Sequence, residues 1–250
     1  MSKNLTTYPG DNLDEDLAHA RLQMPGPPFR EVLRWIHEDV QPQTYVEIGV
    51  HAGESLRAAL PGTICIGIDP EPVLEESLNP ETRIYAITSD EFFAKHDLSK
   101  MLGVPEVALS FIDGLHLAEQ TIQDFVNLER YTGPQSLILI HDCLPLDART
   151  STRVRNTSFY SGDAWKILVF LKHYRPHLRV GVIPTMPTGL AVVSGFDRAA
   201  VNNSYSPSAI SEITQLAWEY FEENSSTLFD RIPNERNSVR RYLLGCSSVR

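Results

Sequence analysis

Acidic and imidazole side chains follow two strand-like segments of the sequence. Asp113 and His116 come just after residues 107–112, and His141 and Asp142 stand at the end of residues 136–141. Carboxylates bind divalent cations, and an imidazole within hydrogen-bond reach can take a proton from a hydroxyl group. If the segments are neighbouring parallel strands, these side chains converge. The pattern predicts metal ligands at Asp113, His141 and Asp142. It predicts a catalytic base at His116.

A glycine-containing turn follows another strand-like segment, residues 44–50. Gly49 and Gly53 would let the backbone approach a ligand closely, and Ser55 closes the turn. A dinucleotide-binding turn has the pattern G-x-G-x-x-G, whereas bulky His51 stands here at the second glycine position. Glu47 is a poor neighbour for a diphosphate but suits a ligand that carries an ammonium group. The turn therefore predicts a small-molecule site and disfavours a nicotinamide-dependent oxidoreductase.

Two further polar positions continue this site along the chain. Asp69 lies after residues 63–68 and 20 residues beyond Gly49, where an acidic side chain can accept hydrogen bonds from ribose hydroxyls. Ser89 follows residues 83–87 and is placed to flank an adenine ring. Each of these residues, taken singly, could have a structural role. Asp69, for example, could cap a helix. Their order on successive strand ends favours a binding site.

The elements that position these residues alternate between strands and helices. The predicted strands are 44–50, 63–68, 83–87, 107–112, 136–141, 178–183 and 189–194, and the predicted helices are 29–40, 53–60, 71–78, 89–98, 115–131, 162–174 and 207–222. Such alternation predicts a parallel sheet with helices on both faces. The last two strands are joined by a link too short for a parallel crossover, so they pair antiparallel. The predicted fold class is α/β, a doubly wound, seven-stranded, mostly parallel sheet with an antiparallel last strand.

The sequence divides into three predicted parts. Residues 1–28 form a polar N-terminal extension, residues 29–200 form the domain with the sheet, and residues 201–250 form a helical extension packed on the same domain. Residues 145–161 carry Arg149, Arg153 and Arg155 between a strand and a helix. A loop of this length is a candidate lid for an acidic acceptor, with a solvated loop as the alternative.

Composition limits the classes of partner. The 250 residues carry a formal net charge of −10, which disfavours nucleic-acid binding. No apolar run reaches the roughly 20 residues that a membrane span needs. Three widely spaced cysteines favour a reducing compartment. We expect a cytoplasmic protein that acts on a small molecule, and the sequence leaves open whether it forms a homo-oligomer.

Together these stretches resemble the class I S-adenosylmethionine (SAM)-dependent methyltransferases. The resemblance rests on the glycine turn with Glu47, on Asp69, and on Thr88-Ser-Asp-Glu-Phe-Phe, Phe111-Ile-Asp-Gly-Leu-His and His141-Asp-Cys-Leu-Pro. Within that superfamily, residues 30–195 are similar to the bacterial macrocin and mycinamicin sugar O-methyltransferases. The resemblance implies a seven-stranded sheet and SAM as cofactor. The implied SAM-binding residues are Glu47, Gly49, His51, Gly53, Ser55, Asp69, Ser89 and Asp113.

The resemblance also implies roles at the two strand ends. In the sugar O-methyltransferases, the aspartate of an Asp-x-x-His element binds the metal and the histidine is the base. These roles fall on Asp113 and His116. That family has two adjacent acidic residues after the fifth strand, whereas this sequence has His141 before Asp142. An imidazole favours a softer metal than Mg²⁺, or no metal.

The leading prediction is SAM-dependent O-methylation of a small-molecule hydroxyl, on a sugar or another natural product. His116 would act as the base. The sequence leaves open whether Mg²⁺ or another divalent metal is bound. One alternative is a metal-independent transfer to nitrogen or carbon. Another is a non-catalytic SAM-binding protein of the same fold. Turnover and metal dependence separate these alternatives.

Overall fold

The computed structural model of the protein describes residues 8–74, 76–197 and 207–247. Its strands are β1 (Thr44–Ile48), β2 (Ile64–Ile68), β3 (Thr82–Tyr85), β4 (Leu109–Ile112), β5 (Leu137–His141), β6 (Arg179–Ile183), β7 (Leu190–Ser194) and β8 (Asp230–Arg231). Its α-helices are α1 (Leu13–Gln23), α2 (Phe29–Val40), α3 (Ser89–Lys95), α4 (Leu98–Leu102), α5 (Ala118–Glu129), α6 (Lys166–Tyr174), α7 (Pro207–Thr214), α8 (Trp218–Leu228) and α9 (Arg236–Ser247). The predicted extensions 1–28 and 201–250 lie partly outside the described residues.

The strands form one sheet in the order β3-β2-β1-β4-β5-β7-β6-β8. Strands β1 to β5 are parallel, whereas β7 runs antiparallel to β5 and to β6. The predicted doubly wound, mostly parallel α/β sheet is therefore confirmed. The structure has eight strands where the sequence predicts seven. The additional strand, β8, pairs through only two residues with β6, and so short a segment shows no period of apolar side chains.

Helices cover both faces of the sheet because its inner strands are apolar on both sides, as expected of parallel strands. Alternate residues of each strand point to opposite faces. Val46, Ile66 and Ile138 pack in one core with side chains of α3, α5, α6, α7 and α8. Tyr45, Leu109 and Leu139 pack in the other core with side chains of α2 and α9. The two cores hold the strand ends in fixed positions.

A buried ion pair joins the ends of α5 and α6. The Arg175 guanidinium donates from Nε to Glu129 Oε1 at 2.7 Å and from Nη2 to Glu129 Oε2 at 3.0 Å. Both side chains are almost fully buried. Each charge therefore depends on the other for compensation.

Two predicted helices differ from the structure near the glycine turn. The stretch 53–60 contains only a 3-10 helix, Leu56–Ala58, because Gly53 has a φ of +74° and belongs to the turn. The described residues of 71–78 are not helical. Pro72 disfavours the helical region for the preceding residue, and the Asp69 side chain accepts a hydrogen bond from the Glu71 N–H.

Other helices have different bounds from those predicted. The stretch 89–98 divides between α3 and α4, since Asp97 accepts a hydrogen bond from the Ser99 N–H and caps a new helix. Helix α5 begins at Ala118 and not at 115, because His116 has a φ of 61°. Helix α6 begins at Lys166 and not at 162, after Gly162 with a φ of 58°. The predicted helix 207–222 is two helices, α7 and α8.

Within the described ranges, no helix combines the length and the apolar character needed to cross a bilayer.

Candidate active site

A cavity of about 810 Å³ opens at the carboxyl ends of β1, β2, β4 and β5. This is the position where ligands bind in doubly wound sheets, since β2 and β4 flank β1 on opposite sides. Nine of the eleven predicted site residues line it: Gly49, His51, Ser55, Asp69, Ser89, Asp113, His116, His141 and Asp142. Glu47 and Gly53 are not on its wall.

Gly49 is required by the close approach of two strand ends. A Cβ atom added to Gly49 would stand 1.9 Å from the carbonyl oxygen of Asp113, and the residue has a φ of +89°. Both features exclude a larger side chain. Gly49 therefore brings the turn after β1 against the end of β4, where Asp113 lies.

Asp69 holds the glycine turn from the neighbouring strand. Its Oδ2 accepts hydrogen bonds from the N–H groups of Val50 at 2.9 Å and His51 at 2.7 Å, and Oδ1 accepts one from the Glu71 N–H at 2.8 Å. A carboxylate has about four acceptor positions. The same side chain can therefore fix the turn and still accept from a ligand hydroxyl.

Glu47, predicted to contact an ammonium group, is fully buried and is not among the residues of the cavity wall. Its oxygens accept hydrogen bonds from the Tyr45 hydroxyl and the Ser55 hydroxyl, both at 2.6 Å. Burial raises the pKa of Glu47 to about 8. Its hydrogen bond with Ser55, which does line the cavity, connects Glu47 to the site.

Asp124 is a buried acid on the cavity wall that the sequence analysis missed. Its Oδ1 accepts hydrogen bonds from the Ser89 hydroxyl at 2.6 Å and from Gln120 Nε2 at 3.0 Å. Burial raises the pKa of Asp124 to about 6. The sequence feature that could have pointed to Asp124 is its place on α5. It lies one turn after Gln120, among the apolar residues that include Ile122 and Phe125.

The structure brings together the four residues predicted at the ends of β4 and β5. His116 Nδ1 lies 2.9 Å from Asp142 Oδ2, and His116 Nε2 lies 3.6 Å from Asp113 Oδ1. His141 Nδ1 lies 3.1 Å from Asp113 Oδ1 and 3.4 Å from Asp142 Oδ2. Each histidine thus contacts both aspartates. The close His116–Asp142 contact is an ion pair without hydrogen-bond alignment, since His116 Nδ1 has no hydrogen-bond partner among the described atoms.

The opposite charges of this cluster stabilise one another. Burial alone would lower the pKa of His141, but the Asp142 and Asp113 carboxylates outweigh burial and raise it to about 10. The pKa of His116 is likewise raised, because Asp142 outweighs the effect of burial. Burial would raise the pKa of Asp142, but the two imidazoles hold it well below its usual range. The cluster therefore favours the ionised form of Asp142.

Backbone strain concentrates on the same wall. His51, His116 and Asp142 have φ values of 43°, 61° and 62°, in the left-handed region that side chains rarely adopt. Such strain persists only where surrounding contacts fix it, and it is frequent at functional sites. For Asp142 one such contact is the hydrogen bond that its Oδ1 accepts from the Thr188 hydroxyl.

Residues 145–161, the predicted lid, lie beside the cavity and contribute Arg155 and Tyr160 to its wall. The Tyr160 ring lies parallel to the His116 ring, with 5.5 Å between centroids and 12° between planes. The Trp165 indole donates to the Ser151 hydroxyl at 2.8 Å, and the Ser161 N–H donates to the Thr150 carbonyl at 3.0 Å. This segment, which we call the covering segment, closes one side of the site.

The comparisons with known proteins agree with this fold. Residues 46–143 match the family model described as a methyltransferase domain. This stretch holds most of β1, all of β2 to β5 and every predicted site residue. No curated protein sequence matches the chain.

Three solved structures share the fold at low sequence identity. The O-methyltransferase TomG from Streptomyces achromogenes, involved in tomaymycin synthesis and solved with SAM, is 14% identical, with a TM-score of 0.54, and the match covers 76% of this chain and 92% of TomG. An O-methyltransferase from Bacillus cereus in complex with SAH is 14% identical (TM-score 0.51; 72% of this chain, 89% of that chain). Cofactor-bound Rv0187 from MTB is 15% identical (TM-score 0.53; 74% and 89%).

The chain therefore has the Rossmann-like fold of the class I methyltransferases. The matched stretch supports a methyltransferase domain at residues 46–143. The narrower resemblance to the macrocin and mycinamicin sugar enzymes stays a prediction, because none of these matches names that group.

Proposed function

We propose that the protein transfers the methyl group of SAM to a hydroxyl group of a small molecule. The observation that carries the proposal is the acidic cavity at the strand ends, with an imidazole on its wall. Asp69, Asp113 and Asp124 line this cavity. SAM presents an ammonium group, a sulfonium, ribose hydroxyls and an adenine amino group, all of which carry positive charge or donate hydrogen bonds. A diphosphate would be repelled by the same carboxylates.

The residues on the wall fit SAM in a definite order. Asp69 follows β2 and is placed for the ribose hydroxyls, as in other doubly wound sheets. Ser89, Gln120 and Asp124 form a connected polar group beside β3 and α5, which suits the adenine amino group. When bound, SAM supplies an electrophilic methyl group on its sulfonium. Two structures that share the fold are O-methyltransferases that were solved with SAM or SAH.

His116 is the residue placed to take the proton of the acceptor hydroxyl. It lines the cavity with a partly exposed side chain, and stacking on Tyr160 fixes the plane of its ring. A hydroxyl is a weak nucleophile until it loses its proton, and a positioned base contributes about 10²–10⁴-fold. The raised pKa of His116 makes the imidazole a strong proton acceptor once it is neutral.

A divalent metal fits the donor set of the cluster. One atom each from Asp113, His141 and Asp142 lies within 4.8 Å of the others, and two carboxylates with one imidazole suit a divalent transition ion better than Mg²⁺. A bound ion supplies Lewis acidity, which lowers the pKa of a coordinated hydroxyl. Metal-independent transfer is the second candidate. It is favoured by the contact of each histidine with both aspartates, which already neutralises the carboxylates.

Calorimetric titration of SAM and of SAH into the purified protein tests the cofactor, with NADH as the control ligand. We expect SAM and SAH to bind and NADH not to bind. Repeating the titration with Mg²⁺ and with Mn²⁺ tests the metal, because a metal-linked heat should disappear in Asp142→Ala. A folded protein that binds neither SAM nor SAH would refute the proposal.

Turnover of hydroxylated acceptors, measured as SAH release, tests the base. His116→Ala should lower kcat about 10²–10⁴-fold while SAH still binds. His173→Ala is the matched control, because His173 is exposed on α6 and lies outside the cavity. Equal turnover in the two variants would remove His116 from the mechanism.

A further inference from the structure

The covering segment carries three arginines that differ in their partners. Arg149 pairs with Asp16 of α1, and Arg153 pairs with Glu119 and with Asp163. Arg155 makes no ion pair with any carboxylate in the part of the chain that the structure describes. It is also the one of the three that lines the cavity. Two of these arginines therefore fix the segment, whereas the charge of Arg155 is available to a ligand.

Arg155 is held in place by two aromatic rings. Its guanidinium carbon lies 5.1 Å from the Tyr8 ring centroid and 5.7 Å from the Tyr160 ring centroid. A cation over an aromatic face is attracted by the ring quadrupole, and the edge of the guanidinium stays free to donate hydrogen bonds. The charge is thus positioned without being neutralised.

The position of Tyr160 connects this charge with the predicted base. The Tyr160 ring lies against the His116 ring and beneath the Arg155 guanidinium. A molecule that rests on this side of the cavity can therefore reach both residues at once. The other arginine on the cavity wall, Arg30, is already paired with Glu54.

The rest of the wall is unfavourable for an anion. Asp69, Asp90 and Asp124 line the part of the cavity assigned above to SAM, and the whole chain has a net charge of −10. A neutral acceptor would need no unpaired guanidinium beside the base. An acidic acceptor would be repelled by the carboxylates and attracted to the Arg155 guanidinium. This charge pattern would fix the orientation of the acceptor as well as its affinity.

We propose that the methyl acceptor is an acidic small molecule whose carboxylate or phosphate binds Arg155 while its hydroxyl reaches His116. This inference rests on the proposed function, because it identifies the acceptor class of the same site. A guanidinium donates two parallel hydrogen bonds to either anion. In the transfer, the hydroxyl oxygen forms a bond to the methyl carbon, the bond from that carbon to the sulfonium breaks, and the hydroxyl proton passes to His116.

Pairs of probes, in which one member carries an acidic group that the other lacks, test the proposal. The carboxylate pair is 3,4-dihydroxybenzoate and 3,4-dihydroxybenzamide, and the phosphate pair is glucose 6-phosphate and glucose. Each probe is titrated into the full chain saturated with SAH. In at least one pair we expect the acidic member to bind roughly tenfold or more tightly than its neutral partner, as for a hydrogen bond to a charged group. The pair that shows the difference identifies carboxylate or phosphate as the recognised group.

Variants of Arg155 locate the effect. Arg155→Gln should abolish the preference for the acidic member, and Arg155→Lys should restore part of it. Arg130→Gln is the matched control, since Arg130 also stacks on a tyrosine, at 5.6 Å from the Tyr131 ring, but lies outside the cavity. It should keep the full preference.

The outcomes separate the two proposals. Failure of SAH to bind would refute the proposed function before any acceptor is added. With SAH bound, equal affinity within both pairs, no binding of any acidic probe, or a preference that Arg155→Gln leaves unchanged would each overturn the acidic-acceptor inference and leave the proposed function standing.

Discussion

Replacing Asp124 with asparagine should change how the stability of the protein depends on pH. Burial raises the pKa of Asp124 from the ordinary 3.8 to about 6. Between these two values the folded protein keeps a proton that the unfolded chain has already lost. The free energy of unfolding therefore falls as pH rises through this window, and the loss is complete above about pH 6.

The size of the effect follows from the shift. One pKa unit corresponds to 1.36 kcal/mol, so the shift of Asp124 amounts to about 3 kcal/mol. Asparagine cannot ionise, and its side-chain oxygen can still accept the hydrogen bonds from Ser89 and Gln120. Relative to the unmodified protein, Asp124→Asn should thus gain about 3 kcal/mol of unfolding free energy between pH 4 and pH 7.

Urea unfolding at a series of pH values, followed by the fluorescence of buried Trp165, measures this difference. Asp90→Asn is the control, because Asp90 is an exposed neighbour of the same polar group and should change the pH dependence little. Parallel stability curves for the Asp124 variant and the unmodified protein would refute the reasoning, since they would mean that Asp124 ionises equally easily in both states.

Three other substitutions test separate parts of the structure by the same unfolding assay. Glu129→Ala leaves the buried Arg175 charge unpaired and should cost about 3–5 kcal/mol. Gly49→Ala should lower the free energy of unfolding by roughly 1–3 kcal/mol through its backbone conformation alone. The collision of the new Cβ atom with Asp113 should lower it further. The substitution should also abolish SAH binding. Burial lowers the pKa of His37 to about 4, so the folded protein loses about 3 kcal/mol as pH falls from 6.5 to 4. His37→Phe should remove that loss.

Each of these substitutions has a counterpart that isolates its cause. Glu91→Ala breaks an exposed ion pair with Lys95 and should cost no more than about 1 kcal/mol. Gly62→Ala has a similar positive φ but meets no atom within 4 Å, so it measures the backbone cost without a collision. His173→Phe replaces an exposed histidine. It should leave the loss of unfolding free energy between pH 6.5 and pH 4 unchanged. Costs as large in these controls as in the main variants would contradict the assigned causes.

Much of the fold could be predicted because the strands are apolar runs buried on both faces. The parallel pairing of the strands from β1 to β5 and the antiparallel pairing of β6 with β7 followed from such runs and from one short link. The helix predicted over 71–78 was wrong. The prediction relied on the composition of this stretch and gave too little weight to Pro72, which disfavours the helical conformation of the residue before it. Strand β8 was missed, since its pairing depends on contacts between segments far apart in the chain.

The candidate site was predictable where a residue type coincides with a strand end. Asp69, Asp113 and His116 belong to this group. The sequence could not show that Glu47 is buried behind the cavity wall, because its position depends on hydrogen bonds from the hydroxyl groups of Tyr45 and Ser55. Nor could it distinguish Asp124 from a solvated acid on a helix.

The attachment of the covering segment has a consequence for transplanting acceptor preference between related chains. The covering segment is held by the beginning of the chain: Asp11 accepts a hydrogen bond from the Ser158 N–H at 2.5 Å, and Asp16 pairs with Arg149. Both pieces lie outside the matched stretch 46–143. A chimera must therefore inherit residues 8–24 and 145–161 from the same parent. Grafting either piece alone would leave Asp16 or Arg149 without its ion-pair partner. The two pieces together can be exchanged as one unit while residues 46–143 stay unchanged.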